Sequence, residues 1–353
     1  MKFAARSAVL ATDGFIVYDI QDEAGRTTVE RPFPFKKTLD AAWYASLFLE
    51  NTGKHCVVYK SVVEDSLDGF DQWIDEAVVK YGHHCFNLVG APTSTRQYQG
   101  PTLQEAMVHM AKKPQCNFGC VAIPERHTKK GNENHNMVRK VQAGAKWFIT
   151  QGVYHSKPII RLIHDYASLC REKKITPSKL IITFAPCGRP KTMSFIKWLG
   201  MDVPQEIEDR IFKAEKPVAE SILILSEVLT EILDETMGSG VPLGLNVESL
   251  SIFREEIDGA HELFQKLQCI LLNSRGSPWA IKWYCVKNVL DGIRKEASEE
   301  DLYGTGMLDY GNSDYSNSRT VSKGKQFGKY NYTTLALTLA VGICIGYAVK
   351  KSH

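Results

Sequence analysis

The sequence is short of surplus positive charge. Its 43 lysines and arginines face 40 aspartates and glutamates, for a net charge of +3 over 353 residues. That surplus is too small to hold a polyanion. With no arginine-rich run, finger spacing or basic helix, a nucleic-acid partner is excluded. Paired cysteines are missing too. The nine cysteines are scattered singly, and Cys56, Cys85, Cys120, Cys187 and Cys269 each sit beside aliphatic or aromatic residues. This suits reduced, buried thiols facing a cytosol and excludes a disulfide framework. Cys116 and Cys120 come close together, but no second pair completes a zinc site, so no metal is expected. A glycine-rich turn after the first strand is also absent. "FIVYDIQDEAGR" has Gln21 and two acids there, which weakens an open dinucleotide-binding sheet. "MKFAARSAVL" makes a poor secretory signal, because Asp13 and Gly14 soon interrupt it; it reads as a weak targeting segment or a helix cut off at its start.

What is present alternates. Seven short apolar runs read as strands: 15–20, 56–62, 85–90, 119–124, 147–151, 180–186 and 243–248. Each is rich in Val, Ile, Leu or aromatics and too continuous to have one wet face. Helical spacing fills the gaps, as in "TLDAAWYASLFLENTG", with Thr38 as its expected N-cap and Gly53 as its end. "SKPIIRLIHDYASLCREKK" and "KPVAESILILSEVLTEILDETMGSG" read the same way. A βαβα order implies a parallel sheet covered by helices. The expected fold is a TIM-type (β/α)8 barrel with one strand short, either because the N-terminus is truncated or because the first strand is missing.

Polar residues gather where such strands end: Asp19 to Glu23, Tyr59-Lys60-Ser61, Pro124 to His127, Thr150-Gln151 and Asn246-Val247-Glu248. In a barrel these ends share one rim, the face where sites are built. Gln151 is therefore expected to point into the mouth.

The far end has a different character. "YTTLALTLAVGICIGYAV" (332–349) has no charge, and Lys350 and Lys351 follow it. Its length is near the minimum of about 17–25 residues for a membrane-spanning helix, so a transmembrane tail anchor is expected. Gly342 and Gly346 have the spacing that lets two such helices touch, which gives a homo-oligomer as one outcome. The preceding segment is rich in Gly, Ser, Asn and charge and reads as a disordered linker. The expected organisation is a barrel over 1–298, a linker over 299–331 and the anchor over 332–349. Lysines on both flanks suit a mitochondrial outer membrane or the endoplasmic reticulum, with the barrel in the cytosol.

Four stretches, "VAIPERH", "MVRKVQAGAKWFITQ", "FAPCGRPKTMSFIKWLGMDVPQEI" and "GVPLGLNVESL", together resemble the methylenetetrahydrofolate reductase family. Similarity runs from about Asp13 to about Ile257, and "VYDIQDEAGRTTVERPFPF" looks like a divergent branch. The resemblance implies NAD(P)H-dependent reduction of 5,10-methylenetetrahydrofolate to 5-methyltetrahydrofolate, usually with FAD between nicotinamide and folate. It implies that Gln151 hydrogen-bonds the pterin, with Asn246 and Glu248 as further substrate contacts. His127, Lys140 and Glu133 match flavin-contacting positions, and Asp19 and Tyr59 on the same rim are expected to bind the cofactor with them, Tyr59 standing where the family has a histidine.

The departures from the family lie at the site. Ala91 stands where the family has a carboxylate near the flavin ring, and the acid of the family's first strand has no counterpart. Flavin is then either bound or dispensed with, hydride in the second case passing directly from nicotinamide to folate. Asp22 and Glu23 either replace the missing acid or pair with Arg26 or Arg31. The alternative to an enzyme is a catalytically inactive, membrane-tethered barrel that binds folate, nucleotide or a protein.

Overall fold

A computed structural model describes residues 12–21, 30–92, 97–273 and 341–346. The strands are β1 (Gly14–Val17), β2 (Cys56–Ser61), β3 (Cys85–Val89), β4 (Asn117–Ala122), β5 (Trp147–Gly152), β6 (Lys179–Phe184), β7 (Leu243–Val247) and β8 (Val341–Gly346). The helices between them are α1 (Ala41–Thr52), α2 (Leu67–Val79), α3 (Leu103–Ala111), α4 (Pro124–Lys130), α5 (Glu133–Gln142), α6 (Ser156–Glu172), α7 (Pro190–Trp198), α8 (Gln205–Lys213), α9 (Pro217–Thr236) and α10 (Arg254–Asn273).

Strands β1 to β7 pair in sequence order, all parallel, and the sheet closes into a barrel through β8. The expected barrel is therefore present, but its eighth place is filled in an unexpected way. Val341–Gly346 lies between β1 and β7 and runs antiparallel to both. These six residues belong to the stretch expected to cross a membrane as a helix, and they form a strand instead. The reason is local. Seven parallel strands leave the facing edges of β1 and β7 with unpaired backbone groups, and a "VGICIG" segment with three β-branched residues suits the slot. Among the described residues, no helix is long and apolar enough to cross a membrane. The rest of the expected anchor, 332–340 and 347–349, and the expected linker lie outside the described residues.

Helix ends follow ordinary capping chemistry. The N-cap of α1 is Asp40 rather than Thr38: its Oδ1 accepts the Trp43 N–H at 2.8 Å, and its Oδ2 accepts Trp73 Nε1 of α2 at 2.7 Å. A carboxylate that ties two helices at once wins over a hydroxyl two residues earlier. Gly53 ends α1 at φ 67°, a left-handed conformation that glycine adopts without a Cβ penalty.

Side chains alternate across each strand, so the barrel has two cores. One lies between sheet and helices and holds Phe86, Phe118, Phe148, Phe184 and the buried face of α9. The other fills the barrel axis with Ile16, Tyr59, Ile149 and Ile181, flanked by Tyr18, Val57, Val89, Val121 and Trp147. At the base of the axis the Trp147 indole lies against Gly119 on the next strand. A Cβ at Gly119 would stand 2.1 Å from Trp147 Nε1. The glycine exists to make room for that ring.

Candidate active site

The ladder between β5 and β6 slips between Ile149 and Gly152. At the slip, Thr150 Oγ1 accepts the Thr183 N–H at 2.9 Å and stands in for a ladder carbonyl. Such a bulge re-aims the residues that follow it. Gln151 comes next and is half-buried. Its Nε2 donates to the Leu199 carbonyl at 3.1 Å, just past the end of α7. One half of this amide is thus engaged by the loop above it, and no described residue donates to its Oε1. The same loop reaches the end of β4, where the Glu125 carboxyl accepts the Asp202 backbone N–H. Burial raises Glu125 above the usual carboxylate range, and its Oε2 is buried without a partner.

Across the rim, β6, β7 and the residues after β1 build a connected polar group. Asn246 is fully buried, and its Nδ2 donates to Thr183 Oγ1 at 3.1 Å and to the Tyr18 hydroxyl oxygen at 3.0 Å. Asn246 Oδ1 is buried with no partner. Tyr18 reaches past β8 to touch β7, and its ring packs on Tyr59 of β2 with centroids 4.4 Å apart. Its own proton goes to Glu248, one residue beyond β7. Glu248 is 5% exposed, and its backbone N–H donates to the Phe184 carbonyl at 3.0 Å. Burial pushes its carboxyl up to about 7, with the Tyr18 hydroxyl pulling weakly the other way.

A segment after β1 packs on α7. The Arg31 guanidinium lies 5.1 Å from the Trp198 ring centre and 5.4 Å from those of Phe195 and Phe35. Phe33 meets Phe195 edge-on at 5.5 Å. Residues 31–35 are thereby held on α7, the helix that follows β6.

The remaining expected site residues do not join this group. Asp19 braces two strands: its Oδ2 accepts the Ser61 N–H at 2.8 Å and its Oδ1 accepts Gln21 Nε2 at 2.6 Å. Burial raises its carboxyl, while the Ser61 bond and Lys60 lower it. His127 is buried, and its Nε2 lies 2.8 Å from Asp165 Oδ2 on α6. Glu133 is fully buried, and its carboxylate accepts the Ile123 N–H at 3.1 Å and Asn136 Nδ2 at 2.9 Å. Lys140 Nζ donates to the Val121 carbonyl at 2.8 Å. All three serve contacts within the helical layer or between it and β4. Asp22 and Glu23 lie outside the described residues.

Two functional candidates escaped the sequence reading. Tyr18 was hidden inside an apolar run, and its partners are far away in the chain. Asn87 sits fully buried in the middle of β3 with neither amide atom partnered. An amide inside "CFNLV" was the available signal, since a buried polar group without a bond costs about 1–3 kcal/mol and so marks a reason for being there. Two open grooves on the outer helices, one along α9 and one among α7, α9 and α10, show no comparable convergence of buried polar groups.

The family model for methylenetetrahydrofolate reductase matches residues 91–250. Those residues carry β4 to β7 and include Gln151, Thr183, Asn246 and Glu248. Among solved structures, a similar chain is described as an uncharacterized protein from Clostridium thermocellum that binds two copies of 5-methyl-5,6,7,8-tetrahydrofolic acid. It is 26% identical, with a TM-score of 0.65, and the match covers 77% of this chain and 87% of that one. No curated protein matches the chain.

Proposed function

For a chain that belongs, over residues 91–250, to the methylenetetrahydrofolate reductase family, we propose a reduced folate as the ligand of the barrel mouth and NAD(P)H-dependent reduction of its methylene bridge to methyl as the reaction. The observation that carries this reading is the buried polar group at the ends of β6 and β7, whose Thr183, Asn246 and Glu248 lie inside the matched stretch. A pterin edge needs donors and acceptors side by side. Asn246 Oδ1 and Gln151 Oε1 supply acceptors, and the Glu248 carboxyl is able to donate when protonated. The folate bound by the Clostridium thermocellum protein supports the choice of ligand class.

Flavin fits this chain less well than the family resemblance implies. His127, Glu133 and Lys140, the positions matching flavin contacts, are each committed to a protein partner. Ala91 carries no carboxylate. We therefore propose direct transfer: C4 of the dihydronicotinamide gives its hydride to the folate carbon. Such a step needs the two carbons held about 3–3.5 Å apart, with water kept out.

The test is to incubate purified protein with 5,10-methylenetetrahydrofolate and NADH or NADPH and to follow 5-methyltetrahydrofolate by mass spectrometry. Formation of the methyl product by protein with no flavin absorbance supports both proposals. Stoichiometric flavin absorbance sinks the direct route. Binding of 5-methyltetrahydrofolate with no turnover favours the second reading, a folate-binding barrel without catalysis. That reading draws on the same committed contacts of His127, Glu133 and Lys140.

A further inference from the structure

We propose that Glu248 is the acid that protonates the bridge nitrogen of bound methylene-folate, with Tyr18 as the residue that positions it; this rests on the reductase reading above. The methylene carbon of the substrate is held between two nitrogens. Reduction to methyl requires one of the two C–N bonds to break. As it breaks, the departing arylamine nitrogen takes its electron pair, and it leaves well only if it gains a proton. The lone pair of the other nitrogen then forms a C=N bond. The hydride, with its electron pair, adds to that carbon and gives the N-methyl group. One hydride from the nicotinamide and one proton from an acid balance the reaction. Solvent later returns the proton to the acid.

Glu248 is the described carboxyl at the strand ends that suits the task. Asp19 is tied to a backbone N–H and a glutamine and feels Lys60. Glu125 accepts the Asp202 N–H. Glu133 accepts a backbone N–H and an asparagine. Glu256, fully buried behind the rim, accepts the Gly188 N–H at 2.8 Å and Thr192 Oγ1 at 3.1 Å. Glu248 receives one hydrogen bond, from a neutral phenol. The titratable groups facing it are Tyr18, after β1, and the fully buried Tyr154, after β5, whose own hydroxyl donates to the Ala185 carbonyl. Among the described residues, no Lys, Arg or His acts on it. A carboxyl so placed is protonated near neutrality, and through Tyr18 it belongs to the same hydrogen-bonded group as Asn246 at the strand ends.

The experiment measures kcat and KM against pH, with 5-methyltetrahydrofolate binding alongside, for full-length wild type, Glu248→Gln and Tyr18→Phe. Wild-type turnover should fall as pH rises through about 7, where Glu248 loses its proton. Glu248→Gln, which can still accept from Tyr18, should bind the methyl-folate within about threefold of wild type, lose about 100-fold or more in kcat and lose the alkaline fall. Tyr18→Phe should lower kcat, because the carboxyl loses the bond that orients it, and should move the fall to higher pH, because the phenol favours the carboxylate form. A purely structural Glu248 would not produce that displacement. Wild-type kcat and an intact alkaline fall in Glu248→Gln overturn the proposal, as does an equal loss of binding and turnover. An unmoved fall in Tyr18→Phe also counts against it and does not require Glu248→Gln to fold. A wild type that binds methyl-folate but reduces nothing overturns the reductase reading and this inference with it. An active wild type with an unaffected Glu248→Gln overturns the inference alone.

Discussion

The buried acid at the end of β7 should leave a mark on stability that is independent of any activity. Burial lifts Glu248 from 4.5 to about 7 in the folded barrel. A group whose folded pKa is raised contributes stability that is fully present below its unfolded pKa and is lost as pH rises through the folded one. For Glu248 the window runs from 4.5 to about 7. At about 1.4 kcal/mol per pH unit, the full loss is about 3 kcal/mol. Glu248→Gln removes the titration but keeps the shape and the acceptor for Tyr18. The free-energy difference between wild type and variant should therefore change by about 3 kcal/mol between pH 4.5 and 8, with wild type losing ground as pH rises. For a domain of this size that is a relative displacement of about 6–12 °C in melting temperature. Other raised carboxyls, Asp19 and Glu125 among them, titrate in both proteins and cancel in the difference. Urea titrations of both proteins at several pH values supply the measurement. Stability curves that run parallel across the whole range would refute the claim that burial raises this carboxyl.

Other outcomes follow from the packing. Gly119→Ala places a methyl carbon 2.1 Å from Trp147 Nε1, so the indole must shift, and a loss of about 1–3 kcal/mol is expected in chemical denaturation. Combining it with Trp147→Ala should cost less than the sum of the two single changes, since the clash then has no partner. Thr150→Val keeps the shape of the bulge but leaves the Thr183 N–H without its acceptor, for a loss of about 1–3 kcal/mol, and a variant as stable as wild type would contradict the contact. Removing residues 341–353 exposes the facing edges of β1 and β7, so a lower melting temperature and self-association in sedimentation are expected. A truncated protein that stays monodisperse with an unchanged midpoint would show that β8 contributes nothing to closure.

The seven parallel strands were legible because each is a continuous run bounded by polar residues, and the observed ends differ from the expected ones by a residue or a few. Helix bodies were legible for the same reason. Thr38 was not distinguishable from Asp40 as a cap in sequence, since both are good N-caps and the choice was made by Trp73 of another helix. The apolar tail 341–346 could be read by composition as helix or strand. Its role depends on two unpaired edges that no local window contains. His127, Glu133 and Lys140 illustrate another limit. Motif order places them near the rim, but whether a side chain turns to the mouth or to the helices is set by partners such as Asp165 and the Val121 carbonyl. Glu248 was visible as a strand end. Its environment was not, because it depends on Tyr18, whose contact with Asn246 spans 228 residues of chain.

These placements shift the polar equipment of the mouth around the barrel. On β2 and after β3, Tyr59 and Ala91 stand where the resembled family has a histidine and a carboxylate. On α4 and α5, the positions matched to flavin contacts make structural bonds. On the other side, around the seam closed by β8, the chain has Tyr18, Thr183, Asn246 and Glu248 in one hydrogen-bonded group. A barrel kept only as a scaffold would gain nothing from a carboxyl buried there with no cation among the described residues, because apolar side chains of similar volume fill such space at less cost. That cost sits at the end of the strand next to the unusual closure, in one group with Thr183 and Asn246 and apart from the positions matched to flavin contacts. That asymmetry accords with the proposed reaction, in which Glu248 gives the proton and hydride passes to folate directly.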